Sequence, residues 1–161
     1  MIVLAIDPGL SGAIAILGPS LDDLVVHDMP VHVLARGGKA KRDVDAVELV
    51  SIIRLAELSG ALDHTFVEQV GAMPGQGLSS TFAFGKGYGI VLGALAALSV
   101  PVTTVPPQRW KKALGVPAGK DAARARASQL MPRHAHHWPL KKHDGRAEAA
   151  LIALFGWGKD R

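Results

Sequence analysis

The sequence contains no cysteine. That single absence removes disulfide frameworks, thiolate–zinc sites, iron–sulfur clusters and thiol nucleophiles, and it suits a reducing compartment such as the cytoplasm. No stretch of 18 or more uncharged, Pro-free apolar residues occurs, so no membrane-spanning helix is expected. The start, Met1-Ile2-Val3-Leu4-Ala5-Ile6-Asp7, has no basic segment and meets an acid at once, unlike a signal peptide. Internal repeats and the usual nucleophile triads are also missing, so nothing points to a covalent intermediate. What remains is an ordinary globular composition, 48% apolar and 20% charged, in 161 residues that fit one domain over 1–161.

Charge of one sign is scarce in each half. Residues 1–80 carry 5 Lys and Arg against 10 Asp and Glu, whereas residues 81–161 carry 13 against 4. A basic half points to a polyanionic partner, with a solvated basic face as the plain alternative.

The element signals run in order. Ile2 to Ile6, Gly12 to Leu17 and Leu24 to Met29 read as strands, and 30–42 as a loop with Gly37-Gly38 and Lys39, Lys41 and Arg42. Asp45-Ala46-Val47-Glu48 is a capping box opening a helix with Val47, Val50, Ile53 and Leu58 inward, stopped by Gly60. Thr65 to Val70 is a strand, Ser79 to Leu98 a long helix and Val100 to Val105 a fifth strand. Short helices follow after Pro106-Pro107, over Gly119–Met131 and over Asp144–Phe155, the last two separated by a loop. The order β-β-β-α-β-α-β-α-α-α predicts an α/β fold: a five-stranded mixed sheet, a three-strand meander and then alternating α and β, with helices on both faces.

Four carboxylates fall where solubility does not require them. Asp7 ends an apolar strand, Glu68 lies inside one, and Asp144 and Glu148 share a helix face at i, i+4. Like charges at that spacing repel unless a hard divalent cation binds them, and no thiolate is present to favour a softer metal. Each acid also has an ordinary reading: Asp7 as a turn residue, Glu68 as a strand-edge charge and Asp144 as a helix cap.

Ile6-Asp7-Pro8-Gly9-Leu10-Ser11-Gly12-Ala13, Val67-Glu68-Gln69-Val70 and His143-Asp144-Gly145-Arg146-Ala147-Glu148 together resemble the RuvC-type Holliday junction resolvases, in their phage and prophage form. Met73-Pro74-Gly75-Gln76-Gly77, Phe84-Gly85-Lys86-Gly87-Tyr88-Gly89 and Pro107-Gln108-Arg109-Trp110-Lys111-Lys112 add to the likeness, which spans positions 2–155. The resemblance implies an RNase H-like fold and a structure-specific endonuclease acting on four-way DNA junctions in recombination, repair or phage DNA processing. It implies Asp7, Glu68, Asp144 and Glu148 as ligands of two Mg²⁺, with Mn²⁺ able to substitute. It places Lys120, just inside the basic helix, near the scissile phosphate. No small-molecule cofactor is expected. Arg109, Lys111, Lys112, Lys120, Arg124, Arg126 and Arg146 are the expected DNA contacts. Many members place the last two acids three apart and both Asp, where here they are four apart and end in Glu. Many also carry a stacking aromatic after V-E-Q, where Gly71-Ala72 stands here and Phe82, Phe84 or Met73 must substitute.

Gly85, Gly89 and Gly93 line one stripe of the long helix, which serves either close packing within the subunit or a homodimer matched to a two-fold junction. His134, His136 and His137 read as a surface loop rather than a zinc site. His143 serves either proton transfer or a phosphate or solvent contact. Two other classes compete: a non-catalytic junction-binding module and a broader branched-DNA or RNase H-type nuclease. An actin-like ATPase, whose first strand also ends D-x-G, needs a longer chain.

Overall fold

Alternation decides the architecture. In the first strand Val3 and Ala5 face one core and Leu4 and Ile6 the other, all fully buried, as a strand covered on both faces requires. The computed structural model describes residues 1–36, 39–72, 75 and 77–158. In chain order the strands are β1 (Val3–Asp7), β2 (Ala13–Leu17), β3 (Leu24–Asp28), β4 (Val31–Arg36), β5 (Lys39–Val44), β6 (His64–Glu68) and β7 (Thr103–Val105). The helices are α1 (Ala46–Leu58), α2 (Leu78–Ala97), α3 (Pro107–Ala113), α4 (Ala122–Leu130) and α5 (Asp144–Trp157). One sheet has the order β3-β2-β1-β6-β7, antiparallel through β1–β2–β3 and parallel through β1–β6–β7. α5 lies across one face with α3 and α4 beside it, while α1 and α2 cover the other. The expected mixed sheet with helices on both faces is the observed fold.

Several elements differ from expectation. Residues 30–42, read as loop, hold β4 and β5, which form a separate two-stranded hairpin. Its polar alternation hid it, because only Val44 among its described residues is fully buried. Gly37-Gly38 lie outside the described residues. Asp45 caps helix α1, its Oδ1 accepting from the N–H of Val47 at 3.0 Å and of Glu48 at 3.1 Å, but the expected capping box is half made, because the Asp45 N–H goes to the Pro30 carbonyl instead of Glu48. Its buried face is Leu49, Ile52, Ile53 and Ala56, however, and Val47 and Leu58 are exposed. The helix is turned because the next apolar set along, not the first, meets α2. Residues 132–142, also read as loop, include two 3₁₀ turns, Pro132–His137 and Lys141–His143. Lys120 precedes the basic helix rather than standing inside it: Gly119 and Asp121 take positive φ of 125° and 64°, so the chain turns there and α4 starts at Ala122.

Six of the fourteen residues of helix α5 are Gly or Ala, and its closeness to the sheet depends on them. A Cβ at Gly156 would stand 2.3 Å from the Phe66 ring. At Gly145 it would stand 2.4 Å from the Ser11 carbonyl oxygen, 2.7 Å from Gly12 Cα and 3.0 Å from Asp7 Oδ2. No described helix is long and apolar enough to cross a membrane.

Candidate active site

Asp7 and Glu68 end neighbouring parallel strands. Ile6 faces Val67 across β1–β6, so the acids follow one residue on at the carboxyl edge of the sheet. Their side chains follow Ala5 and Phe66 onto the α5 face by the two-residue period. The first two turns of α5 add Asp144 and Glu148. Four acids distant in sequence are thereby grouped at one corner.

Their environment is unlike that of surface carboxylates. Burial, followed by the charges of Glu68 and Glu148, pushes Asp7 up to about 7, against the pull of the Gly9 N–H. Asp7 Oδ1 accepts that N–H at 3.2 Å, so the turn reading holds alongside the acidic one. Glu68 is only 9% exposed on an interior strand and so is no strand-edge charge. Burial and then Glu148 raise its pKa, while the Trp110 hydrogen bond and Lys111 lower it. Burial and Glu148 also raise Asp144, against Lys111 and Arg124. Asp144 is the first helical residue rather than the cap, which is His143, and its Oδ1 is buried without a hydrogen-bond partner among the described residues.

Two consecutive residues of α3 hold the outer acids. The buried Trp110 donates its ring N–H to Glu68 Oε1 at 2.9 Å. Lys111 Nζ lies 2.8 Å from Glu148 Oε1 and 5.0 Å above the Trp110 ring. Burial pulls the Lys111 ammonium down, but the hydrogen bond and charge of Glu148 outweigh it and leave it above the ordinary lysine value. Lys111, expected as a DNA contact, is therefore part of the acidic corner. The exposed Lys120 forms no ion pair with these acids.

Other expected contacts are spent within the fold. Arg124 pairs with Asp121 and donates to the Trp138 carbonyl. Arg126 donates to the Leu114 carbonyl at 2.6 Å and to Gln129. Arg146 makes a two-pronged pair with Asp28, at 2.6 Å to each oxygen, and donates to the His137 carbonyl. Arg109 and Lys112 stay exposed beside the corner. His134 is buried with Nε2 on the Leu21 carbonyl at 2.9 Å, whereas His136 is exposed and His137 half-buried with their rings 4.2 Å apart, so the expected surface loop is a 3₁₀ turn with one of its histidines in the core. Phe84 lines a cavity of about 550 Å³ with Glu68, Gly71 and Pro106, while Phe82 lies against the hairpin; Met73 is outside the described residues.

A hard divalent cation suits this corner. All four donors are carboxylates, three are held above their ordinary pKa, and one buried oxygen has no partner among the described residues. Among the described residues no three His, Asp or Glu side chains are closed around one point. The Lys111 ammonium on Glu148 supplies part of the positive charge that the corner demands. Trp110→Phe keeps a buried ring but removes the N–H that orients Glu68. Divalent-cation affinity by titration calorimetry is expected to fall about 10-fold, as when a metal-ligating carboxylate loses its hydrogen-bond partner.

The fold is that of RuvC. Thermus thermophilus RuvC solved with a Holliday junction substrate superposes with a TM-score of 0.61 at 16% identity, covering 96% of this chain and 92% of that one. A second Thermus thermophilus RuvC structure gives 0.53 at 20% identity over the same shares. In sequence the chain is similar to the chloroplastic Holliday junction resolvase MOC1 of Chlamydomonas reinhardtii, 32% identical over 151 residues. That match takes in 83% of this chain and spans only 17% of the relative's length. No family model matches the sequence.

Proposed function

We propose that this chain is a divalent-metal-dependent endonuclease that cuts four-way DNA junctions. The observation that carries the reading is the acidic corner itself: Asp7, Glu68, Asp144 and Glu148 desolvated together on the RuvC fold, one oxygen unpartnered. Asp7, Glu68, Asp144 and Glu148 would hold two Mg²⁺, with Mn²⁺ able to substitute. When bound, the cations supply charge stabilisation at phosphorus and a water of lowered pKa. The residues do the rest. Trp110 fixes Glu68 and shields its back from water, Gly145 lets α5 approach Asp7, and Lys111 balances charge beside Glu148. Lys120, Arg109 and Lys112 are exposed cations for the DNA backbone. The absence of cysteine suits a reducing compartment such as the bacterial cytoplasm.

The deciding experiment offers synthetic four-way junctions, linear duplex, flaps and RNA–DNA hybrids, each with Mg²⁺ or with chelator. Mg²⁺-dependent cutting of junctions above the others is expected. Equal cutting of flaps would make it a general branched-DNA nuclease, and binding without cutting a DNA-binding module. Binding should be steeply salt-dependent: a footprint of 6–10 phosphates loses about 10³–10⁵ in affinity between 50 and 200 mM salt. A flat response would mean that the basic half is only a solvated face.

The partner in this reading is a second copy. Among the described residues a Cβ at Gly85, Gly89 or Gly93 would meet nothing within 4 Å, so these glycines serve no close packing there. They continue an outward stripe begun by Leu78 and Phe82, 91% and 73% exposed. Two such helices pack closely only while the stripe stays narrow. Gly89→Leu points into open space in the single chain, so it should fold normally. Light scattering should show a shift toward monomer, and paired incisions should become separate nicks. A wild type monomeric at micromolar concentration would overturn this.

A further inference from the structure

A second polar cavity, of about 380 Å³, opens beside the acidic corner. Its walls come from the turn after β1, the end of β3, the hairpin, and the 3₁₀ turn leading into α5. Three permanent cations line it, Arg42, Lys142 and Arg146, against one carboxylate, Asp28. Asp28 is already neutralised by the two-pronged Arg146 pair. That leaves Arg42 and Lys142 uncompensated. Lys142 makes no ion pair among the described residues, and the only hydrogen bond that Arg42 makes there is from Nη2 to the Leu10 carbonyl, at 2.7 Å. His143 Nδ1 accepts the Leu140 N–H at 3.3 Å, which puts its proton on Nε2 and makes the ring a donor. Ser11 adds a hydroxyl. The uncommitted groups are thus mostly donors, and two carry full positive charge.

The cavity and the acidic corner share a wall. Gly12 Cα, which lines the cavity, lies 2.7 Å from the point where a Gly145 Cβ would stand, and Asp7 Oδ2 lies 3.0 Å from that same point. We propose that this cavity seats a DNA phosphate flanking the one at the acids, with Arg42 of the β4–β5 hairpin and Lys142 as its charged contacts. The inference rests on the junction-nuclease reading. It gives the hairpin a role: Arg42 ties it to the turn after β1, and the Lys86–Asp43 ion pair ties it to α2, so it is fastened at both sides of the active corner. Guanidinium and ammonium donors grouped without a free acid select phosphate oxygens over a metal ion.

The test measures junction affinity by fluorescence anisotropy in Ca²⁺ across a salt series, for wild type, Arg42→Gln, Lys142→Gln and Arg54→Gln. Arg54 is an exposed cation on α1, on the other face of the sheet. Each cradle variant should lower the slope of log affinity against log salt by about 0.9, the value of one lost phosphate contact. Arg54→Gln should leave the slope unchanged. Lys142 has no partner to lose, so its variant should fold as wild type even if Arg42→Gln loosens the hairpin. Wild-type slopes in Lys142→Gln, with wild type binding junctions, would overturn the cradle alone. Failure of wild type to bind junctions would instead overturn the reading beneath it.

Discussion

Asp7→Asn should abolish cleavage while leaving junction binding in Ca²⁺ essentially unchanged. The substitution keeps the shape of the side chain, yet it removes the carboxylate that ends β1 at the centre of the acidic corner. Cleavage at the wild-type rate would overturn the site. Glu68→Gln and Glu148→Gln should follow the same pattern. A second readout needs no DNA. Asp7 has its pKa raised from 3.8 to about 7 in the folded, metal-free chain. The neutral form is therefore favoured by folding. The associated stability is present in full below the unfolded value and is lost as pH rises through about 7. At 1.36 kcal/mol for each tenfold change, the loss is on the order of 4 kcal/mol. Wild type in chelator should accordingly melt lower at pH 8 than at pH 5, and Asp7→Asn should be much flatter. Added Mg²⁺ should restore the wild type at pH 8 and not the variant.

Gly145→Ala should damage both fold and site although it adds one methyl. The new carbon would stand 2.4 Å from the Ser11 carbonyl and 2.7 Å from Gly12 Cα, and backbone cannot rotate out of the way as a side chain can. The start of α5 must lift from the β1–β2 turn. Overpacking of this kind costs about 1–3 kcal/mol, visible as a lower thermal midpoint. The lift also carries Asp144 and Glu148 away from Asp7, so calorimetry should show cation affinity falling together with stability. Gly158→Ala is the control, because its Cβ would meet only ordinary contacts at 3.6 Å or more. Wild-type cation affinity in Gly145→Ala would mean that helix approach does not set the spacing of the acids.

The sheet was readable because β1 and β2 are apolar on both faces, and no helix of this composition would stop at Asp7-Pro8-Gly9. The acids were readable because they interrupt those apolar runs. The hairpin was not, since β4 and β5 pair with each other away from the core, and the alternation of Val31-His32-Val33 stops after three residues. The face of α1 was misjudged because the sequence supplies two overlapping apolar sets, and only packing against α2 chooses between them. The contacts of Trp110 and Lys111 could not be read, because their partners in the fold, Glu68 and Glu148, lie 42 and 37 positions away, beyond any local pattern. The expected contacts Arg124, Arg126 and Arg146 likewise found partners through tertiary folding. Basic composition reports a partner's charge and not which cations remain free to meet it.

The separation of Asp7 from Asp144 also has a temporal meaning. During synthesis 136 residues follow the first acid before Asp144 is added. At about 5–20 residues per second that is roughly 7–27 s. Throughout that interval β1 can pair with β2, and later with β6, but the corner has only half of its acids. On the function proposed above, neither half alone would hold cations as the full set would. The nascent chain would then stay unarmed near nucleic acid until α5 docks, and a prematurely released fragment lacking α5 would be inert for the same reason.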